Sequence, residues 1–221
     1  MPERFSEFDF GVTGLAALFH EDWSHFGAPE DVVAAYLSPG DEPCAGELLR
    51  KEAAALESDL TALGDSGLDD RQIRMLWTAA TGGNFRFRDT ESGRDLLLLL
   101  NMGCRGWQQL HGVASVDTNP GWNTESLVHD LGQAVAGAEL DLPDYYPLDR
   151  QEMDSMELRK CLLICSRTAS VELAFRLLLR IQLANFMPIH QKSWAAYQRI
   201  SRSLSLGEYV LSGLDFLVEG Q

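Results

Sequence analysis

The stretch His20-Glu21-Asp22-Trp23-Ser24-His25 has the residue types of a zinc-protease helix without its spacing. Two histidines four apart on a helix lie about 40° from each other and can share a metal, whereas five apart they lie about 140° from each other. The pair therefore reads as surface histidines in a polar turn, and no metal is expected there. Cys161 and Cys165 stand one turn apart on a helix, but the flanking sequence does not supply the further ligands that zinc needs. They read as small buried hydrophobes. Cys104 and His111 share a stretch rich in glycine but lacking an oxyanion-type pattern, and no G-x-S-x-G elbow, G-x-G-x-x-G run or phosphate loop occurs. The expectation is a protein with no catalytic residue, no metal and no cofactor. The competing reading is a helical enzyme or regulator with its site in the C-terminal half, around Cys161, Cys165 and His129.

Recognition is the chemistry that the first part of the chain can perform. Glu21, Asp22 and Trp23 are followed by Glu30 and Asp31, and then by Asp41 and Glu42. The Trp23 ring continues the spacing of Leu15 and Phe19, which places it in a core. The carboxylates cannot follow it, because unpaired buried charge is too costly, so they must face water or a cationic partner. These seven residues are the candidate binding set. The net charge of −15 is lopsided: residues 1–70 carry 16 acids and 3 bases (−13), and residues 71–221 carry 17 and 15 (−2). Such asymmetry disfavours nucleic acid and anionic membrane as partners and favours a basic protein. Arg167, Arg176, Arg180, Lys192, Arg199 and Arg202 are interleaved with apolar positions and read as a solvated face.

The elements that must position these groups are helical throughout. Leu15, Phe19 and Trp23 recur at one-turn spacing, Pro29 suits a first helical position with Glu30 and Asp31 behind it, and Leu49, Ala53, Leu56, Leu60 and Leu63 form a stripe. That stripe belongs to a helix opening at Asp41 to Pro43, with Gly64 expected just past its end. Asp69 and Gln72 have capping-box spacing, and Gly82-Gly83 stops the helix that follows. Leu96 to Leu100 predicts a buried helix, and Leu127, Val128, Leu131 and Val135 another. Further helices are expected from Asp149 with Met153, Met156, Leu162 and Cys165, over 168–185, from Pro188, and after Ser205 with Glu208. Gly103, Gly106, Gly112 and Asn119-Pro120-Gly121 suggest a connector. The fold class is all-α, two small helical modules in tandem: an acidic domain over 1–103, a connector over 103–121, and a helical domain of unassigned role over 122–221. No apolar run is long enough to cross a bilayer. Met1-Pro2-Glu3-Arg4-Phe5 lacks a secretory n-region, so the chain is expected in the cytoplasm with reduced cysteines, Cys44 included.

Phe19-His20-Glu21-Asp22-Trp23, a small polar turn, Pro29-Glu30-Asp31-Val32-Val33 and a later acidic helix (47–63) together resemble the opening of immunity proteins of contact-dependent growth-inhibition systems. The resemblance covers roughly residues 5–100, and the second half departs from it. It implies a cytoplasmic helical protein of bacterial competition that binds a cognate toxin domain and blocks it without catalysis. The toxin would be a basic protein, a nuclease being the favoured activity.

Overall fold

Leu56, Leu60 and Leu63 lie on one face of α3 (Ala45–Gly64) and are buried. A 20-residue helix with such a stripe needs apolar cover, which comes from α1 (Gly11–Ala17) on one side and α5 (Gly93–Leu110) on the other. The computed structural model describes residues 9–20, 22–38, 45–113, 124–142, 154–207 and 209–220. The remaining helices are α2 (Pro29–Tyr36), α4 (Asp70–Ala80), α6 (Glu125–Gly137), α7 (Ser155–Thr168), α8 (Val171–Ala184), α9 (Gln191–Ser203) and α10 (Tyr209–Ser212). One turn of 3₁₀ helix (Trp23–Phe26) precedes α2, and another (Asp215–Leu217) follows α10. The fold is all-α: among the described residues β pairing is confined to one isolated parallel bridge, Ile189 to Val218.

Several local signals act as their chemistry demands. Pro29 opens α2, and the Asp31 carboxylate accepts the Ala28 N–H (2.9 Å). Asp69 and Gln72 exchange hydrogen bonds in a full capping box at the start of α4. Gly82 and Gly83 end it at positive φ, and a Cβ on Gly82 would sit 2.9 Å from the Ala184 carbonyl oxygen. Ser92, Thr124 and Ser170 cap α5, α6 and α8.

Other expectations are corrected. The helix carrying Leu15 ends at Ala17, so Phe19 and Trp23 do not continue its face. Gly64 is the last helical residue rather than a left-handed residue beyond it. Met156 is exposed; the inner face of α7 is Leu158, Cys161, Leu162 and Cys165. Pro188 opens no helix, because both backbone groups of Ile189 are engaged with the chain's last segment (Ile189 N–H to Leu217 O, 2.9 Å; Glu219 N–H to Ile189 O, 3.0 Å). The helix starts at Gln191. Asp41, Pro43, Cys44, Asp149, Met153 and Glu208 lie outside the described residues.

The expected connector over 103–121 begins inside α5, which continues through Gly103 and Gly106 to Leu110. Gly103 is where α5 approaches α2: a Cβ there would lie 3.5 Å from the Cβ atoms of Glu30 and Val33. Residues 114–123 lie outside the described set. The helices on the two sides of that stretch share one buried apolar cluster, with α7 and α8 packed on α4, and α8 also on α1. α8 is apolar on almost every side and stands at the centre, as an all-round apolar helix must.

Candidate functional site

Two groups of polar residues stand out, one turned inward and one outward. The inner group forms around α1, whose first N–H groups have no helical partners. The Asp59 carboxylate on α3 accepts the Val12 N–H at 3.0 Å, and Glu52, two turns earlier on α3, accepts the Gly11 N–H at 3.4 Å. Gly11 has φ +60°, and a Cβ on it would fall 2.2 Å from Asp59 Oδ2, so both the backbone shape and the space require glycine there. From α8, Arg176 closes the group. Its Nη2 donates to both Asp59 oxygens (2.8 and 2.9 Å), and its Nη1 to the Phe10 carbonyl (2.9 Å) and Thr13 Oγ1 (3.2 Å). Its guanidinium lies 4.1 Å from the Phe10 ring centroid, and Nε stands 3.6 Å from Glu172 Oε1, an ion pair longer than a hydrogen bond.

This arrangement sets the titration of its members. Burial acts to lower Arg176, but Asp59 and Glu172 outweigh it and hold the guanidinium above its ordinary value. Burial pushes the Asp9 carboxyl up against the lowering effect of Thr13, Arg180 and Arg176. It does the same to Glu52, which is opposed by the hydrogen bonds from Tyr36 and Gly11, and to Tyr36, which Glu52 raises further. A carboxyl raised in the fold binds its proton more tightly there than in the unfolded chain. Its contribution to stability is present below the unfolded value and is lost as pH rises through the folded one. Thermal melts taken from the ordinary carboxylate range toward neutral should therefore show stability falling. Glu52→Gln and Asp9→Asn should flatten that decline, whereas an unchanged slope in both would mean these two groups do not set it.

A cavity of about 60 Å³ adjoins this group between α8 and α10, lined in part by Asp9, Arg176, Arg180 and Leu214. It has room for a few water molecules, far below the several hundred Å³ of a typical metabolite site. Arg180 donates from Nε to the Ala80 carbonyl at 3.0 Å. Arg176 and Arg180 thus belong to the interior, not to the solvated basic face read from sequence.

The outward group is the acidic segment. Trp23 is half-buried: its ring packs on Phe19 (5.1 Å between centroids) and Phe85 (5.4 Å), and its Nε1–H donates to the Asn84 carbonyl at 3.0 Å. The 3₁₀ turn, not a continuous helix, delivers it to the core edge. Asp22 is exposed, with His25 Nε2 at 3.8 Å, and His20 Nδ1 accepts the Asp22 N–H, so the histidines are paired locally rather than with each other. Asp31 and Phe26 are exposed as well. Glu30 is half-buried on α2 beside Gly103 of α5, and its Oε2 is shielded from solvent without a hydrogen-bond partner among the described residues. Close by in sequence, Met102 is exposed on α5. Glu21, Asp41 and Glu42 lie outside the described residues. Of the candidate binding set, the structure thus locates Asp22 at the start of the 3₁₀ turn, Trp23 on it, and Glu30 and Asp31 on α2 just after it.

The thiols occupy the interior. Cys104 donates to the Ala53 carbonyl at 3.3 Å, and burial, reinforced by Glu57, pushes its thiol up to about 12. Burial likewise pushes Cys161 and Cys165 up to about 12, far from the thiolate needed for attack or metal binding. His111 stacks on Trp107, and His129 is exposed on α6 with Gln133 as its hydrogen-bond partner. Among the described residues no three His, Cys, Asp or Glu side chains are grouped to hold a metal, and no helix is long and apolar enough to cross a membrane.

Asp59 and Arg176 could have been suspected from sequence. Asp59 interrupts the Leu56–Leu60–Leu63 stripe, and Arg176 stands between Leu173 and Leu177 on an apolar helix. Opposite charges at core-facing positions of two helices signal a buried pair. Compared with protein-family models, with curated proteins and with solved structures, the chain matches none.

Proposed function

We propose that this protein is an immunity protein that binds the basic toxic domain of a cognate competition toxin in the cytoplasm and blocks it by occupying its surface. The reading rests on the resemblance of residues 19–37 to that family, and the observation that carries it here is Glu30. A solvent-shielded carboxylate oxygen with no partner among the described residues is costly unless a cation completes it. A lysine or arginine of the partner, entering beside α2 at Gly103, supplies that cation. Asp22 and Asp31 are exposed carboxylates on the same stretch of chain, and Phe26 and Met102 are exposed apolar side chains that a partner could cover. A nuclease fits best as the toxin, because its phosphate-binding groove is basic and an acidic face that covers the groove competes with the nucleic acid. Exposed carboxylates also speed capture by steering the approach. The reading as an enzyme or regulator draws no support from the buried, weakly acidic thiols of Cys161 and Cys165.

The experiment is co-expression with the product of the adjacent open reading frame, tested as the toxin, followed by titration of the purified pair. Equimolar protein should inhibit fully and should rescue growth; full inhibition by a small fraction of an equivalent would show turnover and overturn the reading. Glu30→Gln keeps the shape but halves the acceptor capacity. It should leave the melting temperature unchanged or raise it, while affinity falls by about 1.5–3 kcal/mol, the range for a hydrogen bond to a charged group. Unchanged affinity would place the interface elsewhere.

A further inference from the structure

Phe186 and Phe216 hold positions that nothing in the folding of this chain explains. α8 ends in a Schellman turn: the Met187 N–H donates to the Gln182 carbonyl (3.0 Å) and the Phe186 N–H to the Leu183 carbonyl (3.3 Å). The residue at the centre of such a turn is left-handed and is usually glycine. Here it is Phe186, at φ +52°. The equivalent turn after α9, where the Leu206 N–H donates to the Ser201 carbonyl, has Ser205 at φ +54°. A phenylalanine in the left-handed region is strained, and strain of this kind is repaid when the ring is buried. Phe186 is 70% exposed instead, and its aromatic neighbour Phe216, 6.4 Å away between ring centroids, is 65% exposed.

The scaffold beneath the pair is firm. Asn185 is buried and donates from Nδ2 to the Ala79 carbonyl (2.9 Å) and the Ile181 carbonyl (2.7 Å), which fixes the turn on α4. The segments carrying the two rings run side by side through the Ile189–Val218 bridge. Two large aromatic rings are therefore presented to solvent on a rigid base.

The charge around them defines what they would accept. Residues 181–191 and 203–221 contain no lysine or arginine and carry Glu208, Asp215 and Glu219. Asp215 is exposed beside Phe216, and Glu219, which pairs with His190, is half exposed. Arg180, which lines the same cavity as Leu214, is committed to the Ala80 carbonyl. Exposed aromatic rings with an exposed carboxylate on the neighbouring residue suit a guanidinium, which stacks on the ring and hydrogen-bonds to the acid. The same carboxylates repel phosphate, which excludes nucleic acid and an anionic membrane.

We propose that Phe186 and Phe216 form a docking clasp for an arginine-bearing segment of a protein partner, with Asp215 meeting its charge. This surface does not depend on the Glu30 reading, and its variants leave α2 and α5 untouched.

The test uses the full chain and a blocked octapeptide of alternating arginine and glycine, followed by backbone amide NMR at 150 mM salt. Shifts should concentrate at residues 185–187 and 215–219, and a matched glutamate–glycine peptide should not produce them. Phe216→Ser and Asp215→Asn should each weaken the local binding at least fivefold. Phe186→Asn separates recognition from packing, because asparagine tolerates the left-handed region. It should melt no lower than the unsubstituted protein and yet lose the peptide-induced shifts. A clear fall in its melting temperature would show the ring to be structural and overturn the proposal. So would equal shifts with the glutamate peptide, or a concentration-dependent dimer abolished by Phe216→Ser, which would assign the surface to a second copy of this chain.

Discussion

Arg176→Ala is expected to destabilise the protein by about 3–5 kcal/mol, the cost of stranding buried charge when one partner of an internal ion pair is removed. The substitution removes the cation that faces the Asp59 carboxylate in the interior and takes one donor each from the Phe10 carbonyl and the Thr13 hydroxyl. Against a typical total stability of roughly 5–15 kcal/mol, that loss brings the chain near its unfolding threshold. Arg176→Lys retains the charge but cannot span Asp59 and Phe10 together, so an intermediate loss is expected. Urea unfolding of the two variants measures both effects. If Arg176→Ala unfolds at the same urea concentration as the unsubstituted protein, the pair does not hold the structure together. The double substitution Asp59→Asn with Arg176→Met should recover part of the loss, because neither charge is then left alone.

The second large effect is expected from truncation. A fragment of residues 1–113 keeps α1 to α5 but loses Arg176 and the apolar cover that α7 and α8 give to α4 and α1. Ile73, Leu76 and Leu15, buried in the full chain, would lose part of that cover. The fragment should keep helical circular dichroism, bind a hydrophobic dye and melt without a cooperative transition, as compact states without fixed packing do. The full chain should show one transition. A sharp, cooperative melt of the fragment would instead establish residues 1–113 as an independent folding unit.

The difference between what the sequence disclosed and what it concealed follows the distance over which each signal acts. Asp69 and Gln72 form their capping box within three residues, Pro29 sets its own φ, and Gly82-Gly83 supply the left-handed turn themselves, so all three were legible. The stripe on α3 was equally plain, since period and burial coincide there. Gly103 misled because its local meaning, a break, is overridden by packing against Glu30 and Val33. Arg176 misled more: its partner Asp59 lies 117 residues away, and among other basic residues it reads as one more surface charge. Phe186 carries the reverse lesson, because its ring suggests core while its place at the end of α8 turns it outward. For the outward site, sequence supplied the acidic residues and Trp23. It could not show that Glu30 is shielded, because the approach of Gly103 on α5, about seventy residues on, to α2 beside Glu30 is invisible at that range.

The bond between Arg176 and the Phe10 carbonyl spans 166 residues of chain, and that span has a consequence for how the protein is made. On a ribosome adding about 5–20 residues per second, the first helix is synthesised roughly ten to thirty seconds before the arginine that secures it. Throughout that interval the early apolar faces of α1 and α4 wait without the helices that cover them. The excess of acids over bases in residues 1–70 gives the unfinished chain a net charge of −13, and like charges on neighbouring nascent chains keep them apart. The acidity of the first seventy residues therefore also protects the protein while it is still incomplete.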